Sequence, residues 1–266
     1  MCGICGKINF NSEPVDEILL KRMTSVLSHR GPDDEGIYLK DNVGLGHRRL
    51  SIIDLSPFAH QPMSNEDGTI WIVYNGEIYN FPGLRENLIK KGHTFHSKSD
   101  TETIIHLYEE YGVDCLKYLR GMFAFAIWDK RNESLFFARD RVGKKPLYYW
   151  HTKDTFVFAS EIKSILQDSG YTRKPDHTAI HHYLTYQDVP SPWTAFEGIK
   201  KLAPAHYLIL KDGRVEIKRY WKLSYLPKHK RDVEDLKKEI LERLQESVKI
   251  RLLSDVPLGA FLSGGI

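Results

Sequence analysis

Cysteine is scarce in this chain, with three in 266 residues. That excludes a small disulfide-stapled secreted scaffold and makes a reducing cytoplasm the expected location. Long apolar runs are also missing. No stretch approaches the ~18 consecutive apolar residues of a membrane-spanning helix, so no membrane association is expected. The opening Met-Cys-Gly-Ile-Cys-Gly-Lys lacks a basic segment followed by an apolar one, which argues against a secretory signal. Charge of one sign is lacking too: Lys plus Arg number 38 and Asp plus Glu 35. So small a surplus is no nucleic-acid footprint. What remains is ordinary globular composition, 41% hydrophobic and 27% charged, long enough to bury a core without a metal or disulfide staple.

Catalytic signatures are absent as well. No G-x-S-x-G elbow and no G-x-G-x-x-G follows a strand-like run, so serine hydrolase and dinucleotide readings have no support. The twelve histidines include no H-E-x-x-H, and no carboxylate stands at convincing ligand spacing, so no metal site is expected.

The hydrophobic pattern mixes two periods. Residues 14–28 read as a helix with Val15, Ile18, Leu19, Val26 and Leu27 on one face and Pro14 at its start. Residues 101–111 read as a second, carrying Ile104, Ile105, Leu107 and Tyr108, with Ser99 and Glu102 spaced as a capping box. Strand-like runs occupy 69–75, 122–129, 134–140 and 155–160. The middle two are joined by Lys-Arg-Asn-Glu, which predicts an antiparallel hairpin. Residues 206–210 and 214–221 flank Asp212-Gly213, the strongest hairpin signal present. Residues 222–231 read as a linker whose basic end, 228–231, is either a solvated segment or a polyphosphate patch. A helix over about 233–253 follows. Residues 256–266 then read as a buried strand opening into a glycine turn, which is an unusual place for a domain to stop. The pattern therefore predicts a second domain cut short.

Cys2 is the first candidate for chemistry. With the initiator Met removed, one residue carries both a thiol and a free α-amine, whose ordinary pKa of about 7.7–8.0 suits it to accept the thiol proton. A thiolate nucleophile then needs no separate histidine. The competing reading is an incidental cysteine near the start. Cys2 and Cys5 have C-x-x-C spacing, but neither the strand-to-helix setting of a redox motif nor a second pair for zinc is apparent. Attack on a carbonyl needs donors for an oxyanion. Asn75-Gly76-Glu77, at the end of an apolar strand, offers an amide side chain and a backbone N–H, or else is an Asn-Gly turn. Arg49 suits a bidentate pair with a carboxylate. Asp100 suits an ammonium, or caps the helix behind it. Taken together these groups specify a site for an amino acid with a carbonyl side chain.

With those residues in place, the sequence resembles the glutaminase domain of class II glutamine amidotransferases, which are N-terminal-nucleophile hydrolases. Within these it is similar to the glutamine-hydrolysing asparagine synthetase group. The matching blocks are Met-Cys-Gly-Ile-Cys at 1–5, His-Arg-Gly-Pro-Asp-Asp at 29–34 and Gly-His-Arg-Arg-Leu-Ser-Ile-Ile-Asp at 46–54. Tyr-Asn-Gly-Glu-Ile-Tyr-Asn at 74–80 and Ser-Asp-Thr-Glu at 99–102 follow, with further blocks at 120–129, 138–149 and 158–163. The resemblance implies an α+β fold, a four-layer α/β/β/α sandwich of two antiparallel sheets. It implies a glutaminase domain over 1–221, a linker over 222–231, and over 232–266 the start of an α/β ATP-pyrophosphatase domain.

By the same resemblance Cys2 is the nucleophile and Asn75 with Gly76 the oxyanion hole. Arg49 holds the glutamine carboxylate and Asp100 its ammonium, while Glu77 and the stretch Leu50, Ser51, Ile52 and Ile53 line the pocket. Leu262, Ser263, Gly264 and Gly265 match the beginning of a pyrophosphate loop whose following Asp-Ser is not in the sequence. The glutaminase half would need no cofactor, whereas the whole enzyme would use ATP and Mg to amidate aspartate. Members are often dimers, so a homodimer is an expected assembly. Another acceptor, such as a cell-surface sugar or a biosynthetic carboxylate, and a non-catalytic glutaminase-like module are the alternatives.

Overall fold

Most central strands carry apolar side chains on both faces, and the chain buries both by stacking two sheets between layers of helix. The computed structural model describes every residue except His229, Ser263, Gly265 and Ile266. In chain order the elements are β1 (Gly3–Asn9), α1 (Glu17–Ser25), β2 (Asp34–Lys40), β3 (Val43–Arg49), β4 (Met63–Ser64), β5 (Ile70–Ile78), α2 (Phe81–Lys90), α3 (Asp100–Tyr111), β6 (Gly121–Asp129) and β7 (Ser134–Arg139). They continue as β8 (Tyr148–His151), β9 (Thr155–Ala159), α4 (Ile162–Ile165), α5 (His177–Tyr186), β10 (Ile199–Lys201), β11 (His206–Lys211), β12 (Arg214–Arg219) and α6 (Val233–Lys249).

One six-stranded sheet has the order β10-β8-β9-β1-β3-β2 and the other β12-β11-β7-β6-β5-β4. Neighbours pair antiparallel, as in β1 with β3 and β5 with β6. Alternation along each strand sends side chains to different cores. In β6, Ala124, Ala126 and Trp128 face the other sheet, where they meet Ile4, Phe156 and Phe158. Phe123, Phe125 and Ile127 face outward onto α2 and α3 through Phe81, Ile104 and Ile105. On the far side, Cys5, Val157 and Ala159 pack against Leu19, Met23 and Ile165 of α1 and α4. Three cores between four layers make the expected α/β/β/α sandwich.

The hairpins form where the sequence places them, and Asp212 and Gly213 both take positive φ, 50° and 69°, as a two-residue primed turn requires. Other expectations need correcting. The first helix is only Glu17–Ser25, opened not by Pro14 but by Asp16, whose side chain accepts from Ile18 N–H. Its buried face is Leu19, Leu20 and Met23, with Leu27 beyond the last turn. Ile18 is 68% exposed because a helical step of ~100° puts it nearly opposite that face. The capping box is half formed. Ser99 Oγ accepts from Glu102 N–H, but the Glu102 carboxylate turns back to the N–H groups of His96 and Ser97.

The expected strand over 256–266 is not formed in its described residues, and Phe261 and Leu262 are fully exposed. Its described residues pair with none of the edge strands of either sheet. Helix α6 buries no residue, although Ile240, Leu241, Leu244 and Val248 make an apolar stripe along it. Among the described residues no helix is long and apolar enough to cross a membrane.

Candidate active site

Strand β1 lies between β9 and β3, so the residue that enters it is held from two sides. That residue is Cys2. Its carbonyl accepts from Arg30 Nε at 2.9 Å, and Arg30 is anchored in turn by Glu161 at 2.8 Å. Burial pushes the Glu161 carboxyl up, but hydrogen bonds from Arg30, His29 and Lys163 outweigh it and bring the pKa to about 2. The Cys2 sulfur sits against Leu50, with its N–H at 3.4 Å and its carbonyl at 3.7 Å. The carbonyl can take the thiol proton's hydrogen bond, and the N–H can serve the thiolate. Burial holds the Cys2 thiol above its ordinary pKa, partly opposed by Leu50 N–H and the neighbouring α-amine. A thiolate here is therefore made by proton transfer to a base rather than standing ready.

One cleft brings Cys2 together with Arg49, Leu50, Ile52, Ile53, Asn75, Gly76, Glu77 and Asp100. Of the predicted pocket residues only Ser51 is off its wall; its N–H is engaged by Asp33 at 2.8 Å. Arg49 is buried at the end of β3, and its guanidinium donates to the carbonyls of Ile53, Asp54 and Ser56. Among the described residues it has no carboxylate partner, so its charge stays available. Asp100, also buried, opens α3 and accepts from Tyr74 OH at 2.8 Å and Ile78 N–H at 2.9 Å, with no ion pair among the described residues. Burial raises its pKa to about 6 against those hydrogen bonds. Burial, and then the charge of Asp100, raises Glu77 to about 7.

Asn75 and Gly76 do not form a turn. They lie within β5, opposite Ala124 and Phe123 of β6. Asn75 is fully buried, and neither its Nδ2 nor its Oδ1 has a hydrogen-bond partner among the described residues. Backbone polar groups alternate sides along a strand. Tyr74 N–H reaches Gln61, Tyr74 carbonyl meets His47, and Ile78 N–H reaches Asp100, all on the edge beyond short β4. Gly76 has the same parity, so its N–H faces that edge between Gln61 and Asp100. Burial pushes His47 down to about 3, so its neutral ring donates from Nε2 to Tyr74.

Sequence reasoning did not single out Arg30, Tyr74, Gln61 or Lys145. Lys145 is buried on the same cleft, and burial lowers its pKa against the charges of Cys2, Glu77 and Asp140. Three of the four stand inside the motif blocks, but none has a spacing that carries chemistry alone. Cys5 turns away from Cys2 and packs beside Thr24, where burial raises its thiol to about 11, so the C-x-x-C pair is not brought together. His93, His106 and Glu109 meet where α3 packs against the segment after α2, bonded to one another, to Glu110 and to Asn65, with His106 fully buried. In the candidate pyrophosphate loop, Leu262 is exposed and Gly264 takes φ of 69°, while Ser263 and Gly265 lie outside the described residues.

Residues 1–221 match a family described as glutamine amidotransferase domain, and residues 239–266 match asparagine synthase. The chain is 43% identical over 272 residues to asparagine synthetase [glutamine-hydrolyzing] 1 of Bacillus subtilis, covering 100% of this chain and 42% of that protein. It is 39% identical over 282 residues to amidase chry2 of Gibberella zeae, covering 100% of this chain and 41% of that one. The chain thus spans less than half the length of either relative. Among solved structures, the glutamine phosphoribosylpyrophosphate amidotransferase of B. subtilis superposes with a TM-score of 0.62 at 20% identity, over 83% of this chain and 49% of that one. That likeness speaks to the fold.

Proposed function

The chain belongs to the family of glutamine amidotransferase domains, and from that premise we propose that it hydrolyses the side-chain amide of glutamine, with Cys2 as nucleophile. One observation carries this reading. A single cleft holds a thiol, a buried guanidinium and a buried carboxylate that form no ion pair among the described residues, and a buried amide without a hydrogen-bond partner among them. An isolated buried charge is costly, and a zwitterionic amino acid bound between Arg49 and Asp100 neutralises both.

The reaction follows from the groups. Removal of Met1 leaves the α-amine on Cys2. In the chain with Met1, burial lowers the pKa of the terminal amine, which favours the neutral form a base needs. The amine takes the thiol proton, and the thiolate attacks the carboxamide carbon of glutamine. Charge on the resulting oxyanion is met by Asn75 Nδ2 and Gly76 N–H. The C–N bond then breaks as the ammonium returns its proton to the leaving nitrogen, releasing ammonia and a γ-glutamyl thioester. Water, deprotonated by the same amine, hydrolyses the thioester to glutamate and restores the thiol. Leu50, Ile52 and Ile53 form the wall beside the sulfur, with Ser51 at their turn, and Glu77 adds a second carboxyl on the ammonium side.

The reading extends to a larger protein. Residues 1–221 serve as the glutaminase domain, 222–231 as linker and 232–266 as the entry to an ATP-using synthetase domain, in which Leu262 to Gly265 begin the pyrophosphate loop. Ammonia made at Cys2 would there amidate aspartate to asparagine with ATP and Mg, in a cytoplasmic enzyme and as a homodimer. The match to a fungal amidase keeps a different acceptor as the second reading.

The test is steady-state glutamine hydrolysis by the Met1-free chain and its Arg49→Ala variant. The variant should raise KM for glutamine at least tenfold, the loss of a charge-assisted pair. An unchanged KM would refute the role of Arg49.

A further inference from the structure

The segment beyond α6 returns to the glutamine cleft from behind. After the short turn Ile250–Leu252, Asp255 makes two hydrogen bonds to the loop that follows β3. Its N–H donates to the Ile52 carbonyl at 2.9 Å, and its carboxylate accepts from Asp54 N–H at 2.7 Å. The clamped stretch turns sharply at Asp54, whose φ of 54° is a left-handed conformation that aspartate adopts more readily than most residues.

That stretch also holds the proposed glutamine ligands. The carbonyls that orient the Arg49 guanidinium belong to Ile53, Asp54 and Ser56. The Asp54 carboxylate accepts from Ser56 N–H at 3.0 Å and from Lys98 N–H at 2.6 Å, two residues before Asp100. One short loop therefore sets both the carboxylate-binding and the ammonium-binding ends of the cleft, and Asp255 grips it from outside.

We propose that Asp255 is a positioning residue for glutamine binding, through which the segment entering the asparagine synthase region tunes the affinity of the glutamine site. The proposal rests on the reading of Arg49 and Asp100 as glutamine ligands. Coupling of this kind is reciprocal: glutamine drawn onto Arg49 stabilises the docked position of Asp255, and a shift of the downstream segment loosens glutamine. Asp255 itself is exposed, so replacing it leaves the three cores intact.

The experiment compares glutamine hydrolysis by the Met1-free chain with Asp255→Ala, Asp255→Asn and Arg49→Ala variants. Asp255→Ala should raise KM for glutamine about three- to tenfold, the net worth of one ordinary hydrogen bond felt through the loop, with kcat within about twofold. Asp255→Asn should restore most of the KM, because its amide oxygen still accepts from Asp54 N–H. A wild-type KM in Asp255→Ala overturns the proposal, and so does an Asp255→Asn variant as defective as the alanine. If Arg49→Ala raises KM and Asp255→Ala does not, the coupling fails alone. If neither does, the glutamine reading of the cleft fails with it.

Discussion

Arg49 and Asp100, both buried in the cleft, form no ion pair among the described residues. Asp100 is the more telling. Its folded pKa of about 6 lies above the ordinary carboxylate value because it is buried, so the folded state binds its proton more tightly than the unfolded chain. Its contribution to stability is full in acid and is lost as pH rises through 6. Ligand binding has the opposite requirement, since only the ionised carboxylate attracts an ammonium. KM for glutamine should therefore climb as pH falls from 7 to 5, by about tenfold per unit once below 6, and Asp100→Asn should flatten that climb to what Glu77, raised to about 7 in the unmodified chain, contributes, while raising the melting temperature at pH 8. A pH-independent KM in the unmodified chain would contradict the assignment. Asn75 makes the second residue-level prediction. Asn75→Ala should lower kcat by about 10²–10³ with KM little changed, as loss of an oxyanion donor does. Equal kcat values would remove Asn75 from the hole. Cys2, Arg49, Asn75 and Asp100 were legible in the sequence because each is a polar type whose chemistry needs a partner. Arg30 and Lys145 were not, since their importance comes only from what the fold sets beside them.

At the scale of elements, β5 decides the site. The pair Asn75-Gly76 has the composition of a turn, yet it runs straight through a paired strand, because β6 supplies an apolar partner along its whole length. Glycine is needed at 76 for close approach: a Cβ there would stand 2.4 Å from Met122 carbonyl and 2.8 Å from Phe123 Cα, both backbone atoms of the neighbouring strand. Gly76→Ala should cost about 1–3 kcal/mol of stability, measured by denaturant unfolding, and should depress hydrolysis more than folding. A fully stable, fully active variant would show that the strand pairing here is wrong. Strand β3 was missed for a related reason. Its Val-Gly-Leu-Gly-His-Arg-Arg has little intrinsic preference for extended structure, and it is a strand because β1 and β2 hold it from both sides. The hairpins were legible because their turn chemistry is local. The tail beyond 255 was not, since a short apolar run does not say whether it pairs, and its described residues join neither sheet.

Over the whole molecule, the cleft is a product of stacking. Cys2 and Arg49 come from one sheet, Asn75 and Gly76 from the other, and Asp100 from a helix packed outside the second sheet. None of these elements makes the site alone. The helical and alternating patterns made elements and hairpins legible, while the layer order was implied only by the family resemblance. The meeting of the two sheets at residue 2 was not, because it depends on contacts between residues far apart in sequence. The central claim is that this assembly positions an N-terminal cysteine against glutamine. It is tested most directly by incubating the Met1-free chain with an electrophilic glutamine analogue and recording intact and peptide masses. The account predicts one adduct per chain, on Cys2, with the buried Cys5 and Cys115 unmodified and labelling slowed by excess glutamine. No adduct on a free N-terminal Cys2, or labelling indifferent to glutamine, would contradict it.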